Sequence, residues 1–587
     1  MNKTDKLMGI YSELGNRKTA FPKDMSFKEI YDNKLFVPAQ FYDSASIKCS
    51  GVEIEDFILK NNTLILGEPG TGKSFFSYCL VRKSFSFDSY MILPIDLKVL
   101  FEANLLKPFE KIVQYLFGKI LINRNLIFVV DGVDEFCGSE KRDKFCQKLL
   151  TILKRHGKVC MLCRRYEYDL YISNIVESDM FVKILSIKEW KIDKEFKQYL
   201  NIISTRENID VNKYYEAIIT SEQLSELVRR PLHARMLIYV IKTSFKSINY
   251  IRNTADLYEQ YFASLAATVK GIGQNKILIL WRQIAWNLYC SSYTANRKIY
   301  ISEIEYSILK GYSTERIIAP IVNWSNDMGR KSFSFLHYSF YEFLVAYNFV
   351  IELYENLEKD EINLAKCLFR KDFPLEIRHY CTLLLKNYQN VMLWNKLILF
   401  YELEKENTNL TERRITNNLV LYFIGRISKI GLEELYTILK NEEDIFSKTS
   451  IYWAMCNLNY TSGLLEYLNK LKDLEYSSLN RGYLMYYYGD MDRNLEPPYE
   501  DNKVTNNWSK THLKNLIMFQ GEDYDNIPIA RRIIDVYTFI DFASFHKTKI
   551  PQKEIRCLKK VINNIPISDI YIEESLKIIN DYLEDIL

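Results

Sequence analysis

The chain has 587 residues, too many for one ordinary hydrophobic core, so we expect roughly three or four domains. A hydrophobic content of 48% excludes a disordered chain, and a net charge of +4 (78 − 74) does not indicate a nucleic-acid partner. The 11 cysteines follow no disulfide spacing, and the sequence has no apolar leader or membrane-length apolar run, which together predict a cytoplasmic protein with free thiols.

The first recognisable motif follows an N-terminal arm, residues 1–50, in which we recognise no effector domain. "GEPGTGKS" matches the phosphate-binding pattern G-x-x-x-x-G-K-[ST], with Gly67, Gly72, Lys73 and Ser74 at the defining positions. An apolar strand precedes it and a helical pattern follows it. Backbone N–H groups of such a loop surround phosphate oxygens, the lysine reaches the β and γ phosphates, and the serine is a ligand of Mg²⁺. The predicted nucleotide contacts are Gly67, Glu68, Pro69, Gly70, Thr71, Gly72, Lys73, Ser74 and Phe75.

A second acidic motif, "LIFVVDGVDEF", begins as a buried strand and ends in carboxylates. Asp131 at the strand end is predicted to hold Mg²⁺ with Ser74. Asp134 and Glu135 follow where a carboxylate orients or deprotonates the water that attacks the γ phosphate. The alternative is that one of these two acids caps a following helix.

The next strand, "KVCMLC", ends at Arg164 and Arg165. Arg164 is placed to sense the γ phosphate, although both arginines also fit solvated positions. Cys160 and Cys163 form C-x-x-C inside this strand, and we interpret them as buried thiols.

Five strands alternate with helices between about 60 and 188, which predicts a doubly wound, mostly parallel α/β sheet for residues 51–190. ATP is the expected nucleotide, because the sequence has no N-K-x-D for guanine.

Helical patterns follow in residues 191–267. Pro231 interrupts one of them and is interpreted as the first turn of a second helix. Thr254 is expected to cap the next helix. Residues 268–350 end in a strand and an amphipathic helix with His337 at the junction, where an isolated histidine is most simply structural.

Residues 351–587 read as amphipathic helices in a loose, possible HEAT-like array without a strict period. The Tyr-rich stretch "RGYLMYYYGDMDRNLEPPYEDNKV", 481–504, is expected to interrupt them as a loop. Its acids are read as solvated, with a nuclease site as the alternative.

Taken in order, "GEPGTGKS", "LIFVVDGVDEF", "MLCRRYEY", "RRPLHARML" and "FSFLHYSFYEFLVA" resemble the NACHT group of STAND P-loop NTPases, over about residues 50–350. This group includes animal NOD-like receptors and bacterial antiphage proteins. D-G-x-D-E at 131–135 is typical of it, and we expect Gly132 to allow close packing beside the nucleotide.

The resemblance implies a helical subdomain at 191–267 and a winged-helix subdomain at 268–350. It implies that Arg164 is the sensor, that Pro231 lies against adenine, and that His337 contacts the β phosphate of ADP. The function implied is a slow ATP hydrolase that acts as an ADP-off, ATP-on switch and oligomerises on sensing a phage protein or other protein trigger through the C-terminal region. ATP or ADP and Mg²⁺ are the expected cofactors, and neither a membrane nor a nucleic acid is an expected partner.

Two other functions fit parts of the sequence. A DNA-binding STAND regulator of transcription would use the winged helix as its reader, although acids are mixed with the bases in that segment. A processive ring ATPase would turn over ATP rapidly without a partner, and no evident arginine finger favours it.

Overall fold

A computed structural model of the chain describes residues 26–43, 54–83, 90–95, 97–102, 125–137, 140–164, 168, 172, 175–176, 180–181, 183–290, 299–300, 313–327, 330–359, 368–369, 373–387, 391–405, 409–427, 432–487, 528–545 and 552–586. The chain forms two compact units, Met1–Asn348 and Phe349–Leu587.

A six-stranded sheet forms the centre of the first unit. Its strands are β1 (Phe41–Asp43), β2 (Thr63–Leu66), β3 (Tyr90–Ile95), β4 (Asn125–Asp131), β5 (Lys158–Cys163) and β6 (Lys183–Ile187), in the spatial order β1-β6-β2-β5-β4-β3. All neighbouring pairs are parallel except β1 with β6. Runs of branched apolar residues explain the strands, because a parallel sheet is covered by helices on its faces. Strand β5 lies between β2 and β4, so the ends of the three motif-bearing strands are neighbours.

Helices connect and cover these strands. They are α1 (Phe27–Asp32), α2 (Ile54–Lys60), α3 (Lys73–Lys83), α4 (Leu97–Glu102), α5 (Val133–Phe136) and α6 (Glu140–His156). The side chains of Ile65, Phe128 and Leu162 are buried in the shared core. This arrangement confirms the predicted mostly parallel α/β core.

Residues 26–43 of the N-terminal arm pack on this core. Helix α1 begins with a capping box between Ser26 and Glu29, and β1 pairs with β6 at the sheet edge. The Gln40 amide donates to Glu195 Oε1 at 2.8 Å, and Gln40 O accepts from Lys188 N at 2.8 Å. The described part of the arm is therefore anchored by strand pairing and by side-chain contacts.

Helices follow the sheet. A π-helical turn, Ile192–Phe196, leads into α7 (Lys197–Glu207), α8 (Val211–Ile219), α9 (Glu222–Leu227), α10 (Pro231–Thr243), a 3₁₀ turn at Phe245–Tyr250, α11 (Thr254–Ala266) and α12 (Gln274–Cys290). Pro231 is the first residue of α10, as predicted, because proline is tolerated where no helical N–H is needed.

The predicted Thr254 cap is wrong by one residue. Asn253 is the N-cap, and its side chain accepts from Asp256 N at 3.1 Å. Thr254 is already helical, because Asn253 has the extended backbone geometry of an N-cap and its side-chain oxygen reaches a free N–H of the first turn.

A small antiparallel sheet precedes a long helix at the end of the first unit. The strands β7 (Ile299–Tyr300), β8 (Val322–Asp327) and β9 (Arg330–Phe335) are ordered β7-β9-β8. Helix α13 (Thr314–Ile318) and a 3₁₀ turn, Ala319–Ile321, come before β8. Helix α14 (Tyr338–Glu358) begins directly after His337, as the sequence pattern predicted. Residues 301–312, which include much of the predicted winged-helix segment, lie outside the described residues.

The second unit is helical throughout its described residues. Its helices are α15 (Leu375–Asn387), α16 (Val391–Glu404), α17 (Leu410–Ile427), α18 (Leu432–Asn441), α19 (Ile445–Asn457), α20 (Thr461–Lys470), α21 (Leu474–Tyr487), α22 (Ile529–Phe545), α23 (Gln552–Asn563) and α24 (Ile570–Ile586). This confirms an all-α C-terminal region. Among the described residues, no helix is long and apolar enough to cross a membrane.

The Tyr-rich loop expected from residue 481 is wrong at its start. Helix α21 continues to Tyr487, because Asn480 and Arg481 make buried hydrogen bonds to α22 that hold this turn in helical form. Residues 488–504 of the expected loop lie outside the described part of the chain.

Candidate nucleotide site

The phosphate-binding loop connects β2 to α3. Gly70 and Gly72 have φ angles of +80° and +92°, which L side chains rarely adopt. The loop is pinned at its start by Gly67 N, which donates to Cys163 O of β5 at 3.2 Å. Inside the loop, Thr71 Oγ1 donates to Glu68 O at 2.8 Å. The glycines therefore permit the turn that the motif requires.

Lys73 lies over this loop and donates from Nζ to Gly67 O at 2.6 Å and to Glu68 O at 3.1 Å. A Cβ built on Gly72 meets no atom within 4 Å, so this side of the loop is open space beside the N-terminus of α3. Open space, backbone N–H groups and a lysine fit the phosphates of a nucleotide. Ser74, at the start of α3, and Asp131, at the end of β4, carry oxygen atoms of the kind that Mg²⁺ prefers.

The first turn of α10 contacts the same loop. Leu232 N donates to Gly70 O at 3.2 Å, and a Cβ on Gly70 would lie 3.0 Å from Leu232 Cβ. Pro231 is thereby brought next to the loop, half-buried. The helical segment after the sheet thus touches the phosphate-binding backbone directly.

The end of β4 places the acidic motif. Gly132 has φ +72° and ψ +34°, in the left-handed region, and turns the chain from β4 into α5. This backbone requirement is sufficient to account for glycine at 132, and the close packing expected from the sequence stays a prediction. Asp134 and Glu135 lie within α5 and do not cap it, since Gly132 is the N-cap and makes no side-chain bond. The side chain of Glu135 lies outside the described part of the structure.

Arg164 follows β5 and is 4% exposed. Its Nε lies 3.2 Å from Asp134 Oδ2, and its Nη1 donates to Glu342 Oε1 at 3.1 Å. The guanidinium also lies over the Tyr338 ring, 4.9 Å from the centroid. A solvated arginine is excluded, and the structure joins two predicted site residues, Arg164 and Asp134. Arg165 lies outside the described residues.

His337 faces the same group of charges. Burial, the Arg164 guanidinium and the Lys73 ammonium, in that order, lower the pKa of His337 to about 3. Ser339 N donates to His337 Nδ1 at 3.2 Å, so the neutral ring carries its proton on Nε2. Ser339 Oγ lies 2.6 Å from the same Nδ1 and 2.6 Å from Tyr258 Oη. The ring is held by its Nδ1 side, which leaves Nε2–H to donate.

Cys160 and Cys163 are both buried in β5. Burial and the nearby Asp131 carboxylate raise the pKa of the Cys160 thiol. The thiols act as small apolar side chains of the core, as predicted.

Three contacts at this site were not predicted from the sequence, namely those of Glu342, Tyr338 and Leu232. Glu342 has a recognisable signal, since it is an isolated acid in the aromatic run "YSFYEFLVAY" and is 1% exposed. A charged residue buried in an apolar helix is normally paired. The sequence did not say with which residue.

The sheet order, the loop and the acidic strand end define a P-loop NTPase core, a nucleotide-binding class, followed by helical regions. No protein-family model matches the chain, and no curated protein matches it.

The solved structures that match parts of this chain include those of Hsp104, ORC1 and RuvB. Hsp104 with ATPγS and FITC-casein has a TM-score of 0.26 and 15% identity, covering 39% of this chain and 44% of that chain. The ORC1 protein of Aeropyrum pernix in complex with DNA has a TM-score of 0.24 and 13% identity, and the match covers 47% of this chain and 83% of the ORC1 chain. A mutant RuvB of Thermotoga maritima has a TM-score of 0.22 and 10% identity, and the match covers 48% of this chain and 91% of the RuvB chain. The match thus spans less than half of the Hsp104 chain, and the class of the core rests on the sheet order and the P-loop.

Proposed function

We propose that this protein is a nucleotide-switched signalling ATPase of the NACHT/STAND type, which is held off by ADP, turned on by ATP and used in bacterial antiphage defence. The observation that supports it is the position of His337. This residue follows the small sheet, yet its pKa is lowered by burial and then by Arg164 and Lys73 of the nucleotide core. An Nε2–H donor on a ring that lies near two cations suits a β phosphate.

The contact of α10 supports the same proposal. Leu232 N binds Gly70 O, so a change in the loop on nucleotide exchange is felt by α10. A switch needs contacts that differ between its two states. Two segments that follow the nucleotide core, α10 and the residues around His337, lie at one phosphate site and can supply such contacts. ATP binding would separate these segments from the core and permit self-assembly. The second unit is proposed to recognise the trigger.

Each predicted site residue has a role in this scheme. Lys73 and the loop residues hold the phosphates, Ser74 and Asp131 hold Mg²⁺, and Glu135 with Asp134 acts on the attacking water. Arg164 senses the γ phosphate, and Pro231 lies against adenine. When bound, Mg²⁺ would neutralise phosphate charge. We expect ATP turnover well below roughly 10 per second, the median for enzymes, because hydrolysis resets a switch.

The proposal is tested by identifying the nucleotide that the full-length protein retains and by size-exclusion chromatography of the protein from infected and uninfected cells. We expect retained ADP before infection and a larger assembly after it. Lys73→Ala and Asp131→Ala should abolish protection in a phage plating assay. Lys83→Ala, at the other end of α3, is the charge-matched control and should protect normally. If the Lys73 and Asp131 variants resist infection as well as wild type, the switch proposal is wrong.

A further inference from the structure

A buried three-residue ionic contact lies beside the proposed γ-phosphate position. Arg164 is within 3.2 Å of Asp134 Oδ2 and 3.1 Å of Glu342 Oε1, and the three side chains are 5%, 4% and 2% exposed. Charges removed from water interact strongly and depend on their partners. One guanidinium is shared by two carboxylates.

The two carboxylates belong to different parts of the first unit. Asp134 lies in α5, immediately after the strand that ends at Asp131. Glu342 lies on α14, five residues after His337, together with Tyr338, whose ring stacks on the same guanidinium at 4.9 Å. Arg164 therefore joins the carboxyl ends of β4 and β5 to the helix that follows His337.

We infer that Glu342 is a positioning residue that holds the sensor Arg164 on α14 and thereby makes the closed site prefer ADP to ATP. This inference rests on the proposed nucleotide switch. The Nε and Nη1 groups of Arg164 are engaged with Asp134 and Glu342, so a γ phosphate would compete with these two carboxylates for the guanidinium. ADP leaves this contact intact.

ATP brings further negative charge to a place that already holds two carboxylates. Binding of the γ phosphate therefore draws Arg164 away from Glu342. A buried carboxylate that loses its cation is strongly destabilised, so Glu342 must move to water and α14 must leave the core. Glu342 thus converts the presence of a γ phosphate into release of the segment that carries His337.

The test measures the affinities of the full-length protein for ADP and for ATPγS by competition with a fluorescent nucleotide. Glu342→Gln preserves the shape and the acceptor oxygen but removes the charge. We expect the affinity for ATPγS relative to ADP to rise about tenfold, with ADP affinity nearly unchanged. Glu355→Gln, at an exposed position on the same helix, is the matched control and should leave the ratio as in wild type.

A double-mutant cycle separates positioning from a structural role. In an Arg164→Ala background, Glu342→Gln should not change the ratio further, because Glu342 acts through Arg164. If Glu342→Gln fails to fold, Glu342→Asp, which keeps the charge on a shorter arm, should give a ratio between wild type and the tenfold value. A wild-type ratio in the variant that folds, or equal loss of both affinities, overturns the role of Glu342 and leaves the switch standing. Wild-type protein that retains the same nucleotide and has the same size from infected and uninfected cells overturns the switch itself.

Discussion

At the residue scale, a positive backbone φ angle explains why a glycine follows Asp131 in the acidic motif. Gly132 has φ +72°, where an L side chain crowds the following carbonyl oxygen. The left-handed residue turns the chain within one step from the buried end of β4 into α5. Asp131 and Asp134 are consequently presented at the same end of the sheet.

Gly132→Ala should therefore lower the unfolding free energy of the first unit by about 1–2 kcal/mol, the cost of left-handed backbone for an L residue. The measurement is the urea midpoint of the transition that nucleotide shifts. Gly273→Ala is the control, because a Cβ there meets no atom within 4 Å and no left-handed φ is involved. An equal midpoint shift in both variants would contradict the backbone explanation.

At the scale of elements, the N-terminal arm supports the helix that follows the P-loop. The Phe27 ring of α1 meets Phe75 of α3 edge-on, with centroids 5.4 Å apart at 78°. The Phe36 ring also packs against the Phe75 ring, with centroids 5.2 Å apart and an interplanar angle of 67°. Phe75 was expected to contact nucleotide. Its ring packs in this aromatic cluster, and its backbone lies in the first turn of α3, so the nucleotide contact stays a prediction for the backbone.

A double-mutant cycle on Phe27→Ala and Phe75→Ala should give a coupling of about 0.5–1.5 kcal/mol, the range for aromatic pairs beyond their buried area. The measurement is the unfolding free energy in urea without nucleotide. Tyr250→Ala combined with Phe75→Ala should be additive, because Tyr250 is 67% exposed. Additive effects for Phe27 and Phe75 would show that the arm does not support α3.

At the scale of the whole molecule, the second unit is organised by buried polar contacts between distant segments. Asp541 of α22 accepts from Arg481 Nη1 at 2.6 Å, from Ser477 Oγ at 2.9 Å and from Tyr582 Oη at 3.1 Å. Burial and the Asp541 carboxylate raise the pKa of Tyr582 to about 12, so its phenol stays protonated and can donate. These bonds join α21, α22 and α24.

Asp541→Ala should cost about 3–5 kcal/mol of stability, since it leaves the buried Arg481 without this carboxylate. We expect faster limited proteolysis after α21 in the variant, with ADP binding by the first unit unchanged. Asp581→Ala, at an exposed position on α24, is the control and should resist protease as wild type does. Wild-type protease resistance of Asp541→Ala would contradict the structural role of this cluster.

Local patterns were sufficient to predict the core. Strands, P-loop, Asp131 and the Pro231 helix start depend on residues close together in the chain, where propensity and sterics act. Errors arose at helix ends, where one side-chain contact decides which residue begins or ends the helix. The Asn253 cap depended on which of two adjacent polar residues was extended, and the end of α21 depended on contacts of Asn480 and Arg481 with α22.

The sequence by itself determined that the chain has a P-loop, an acidic strand end and a following arginine, because glycine placement and apolar periodicity are local properties. Only the tertiary structure decided what Arg164 binds. Glu342 lies 178 residues away along the chain. No local rule can select such a partner, since pairing of buried charges is settled by which elements pack together and by the high free energy of an unpaired charge away from water.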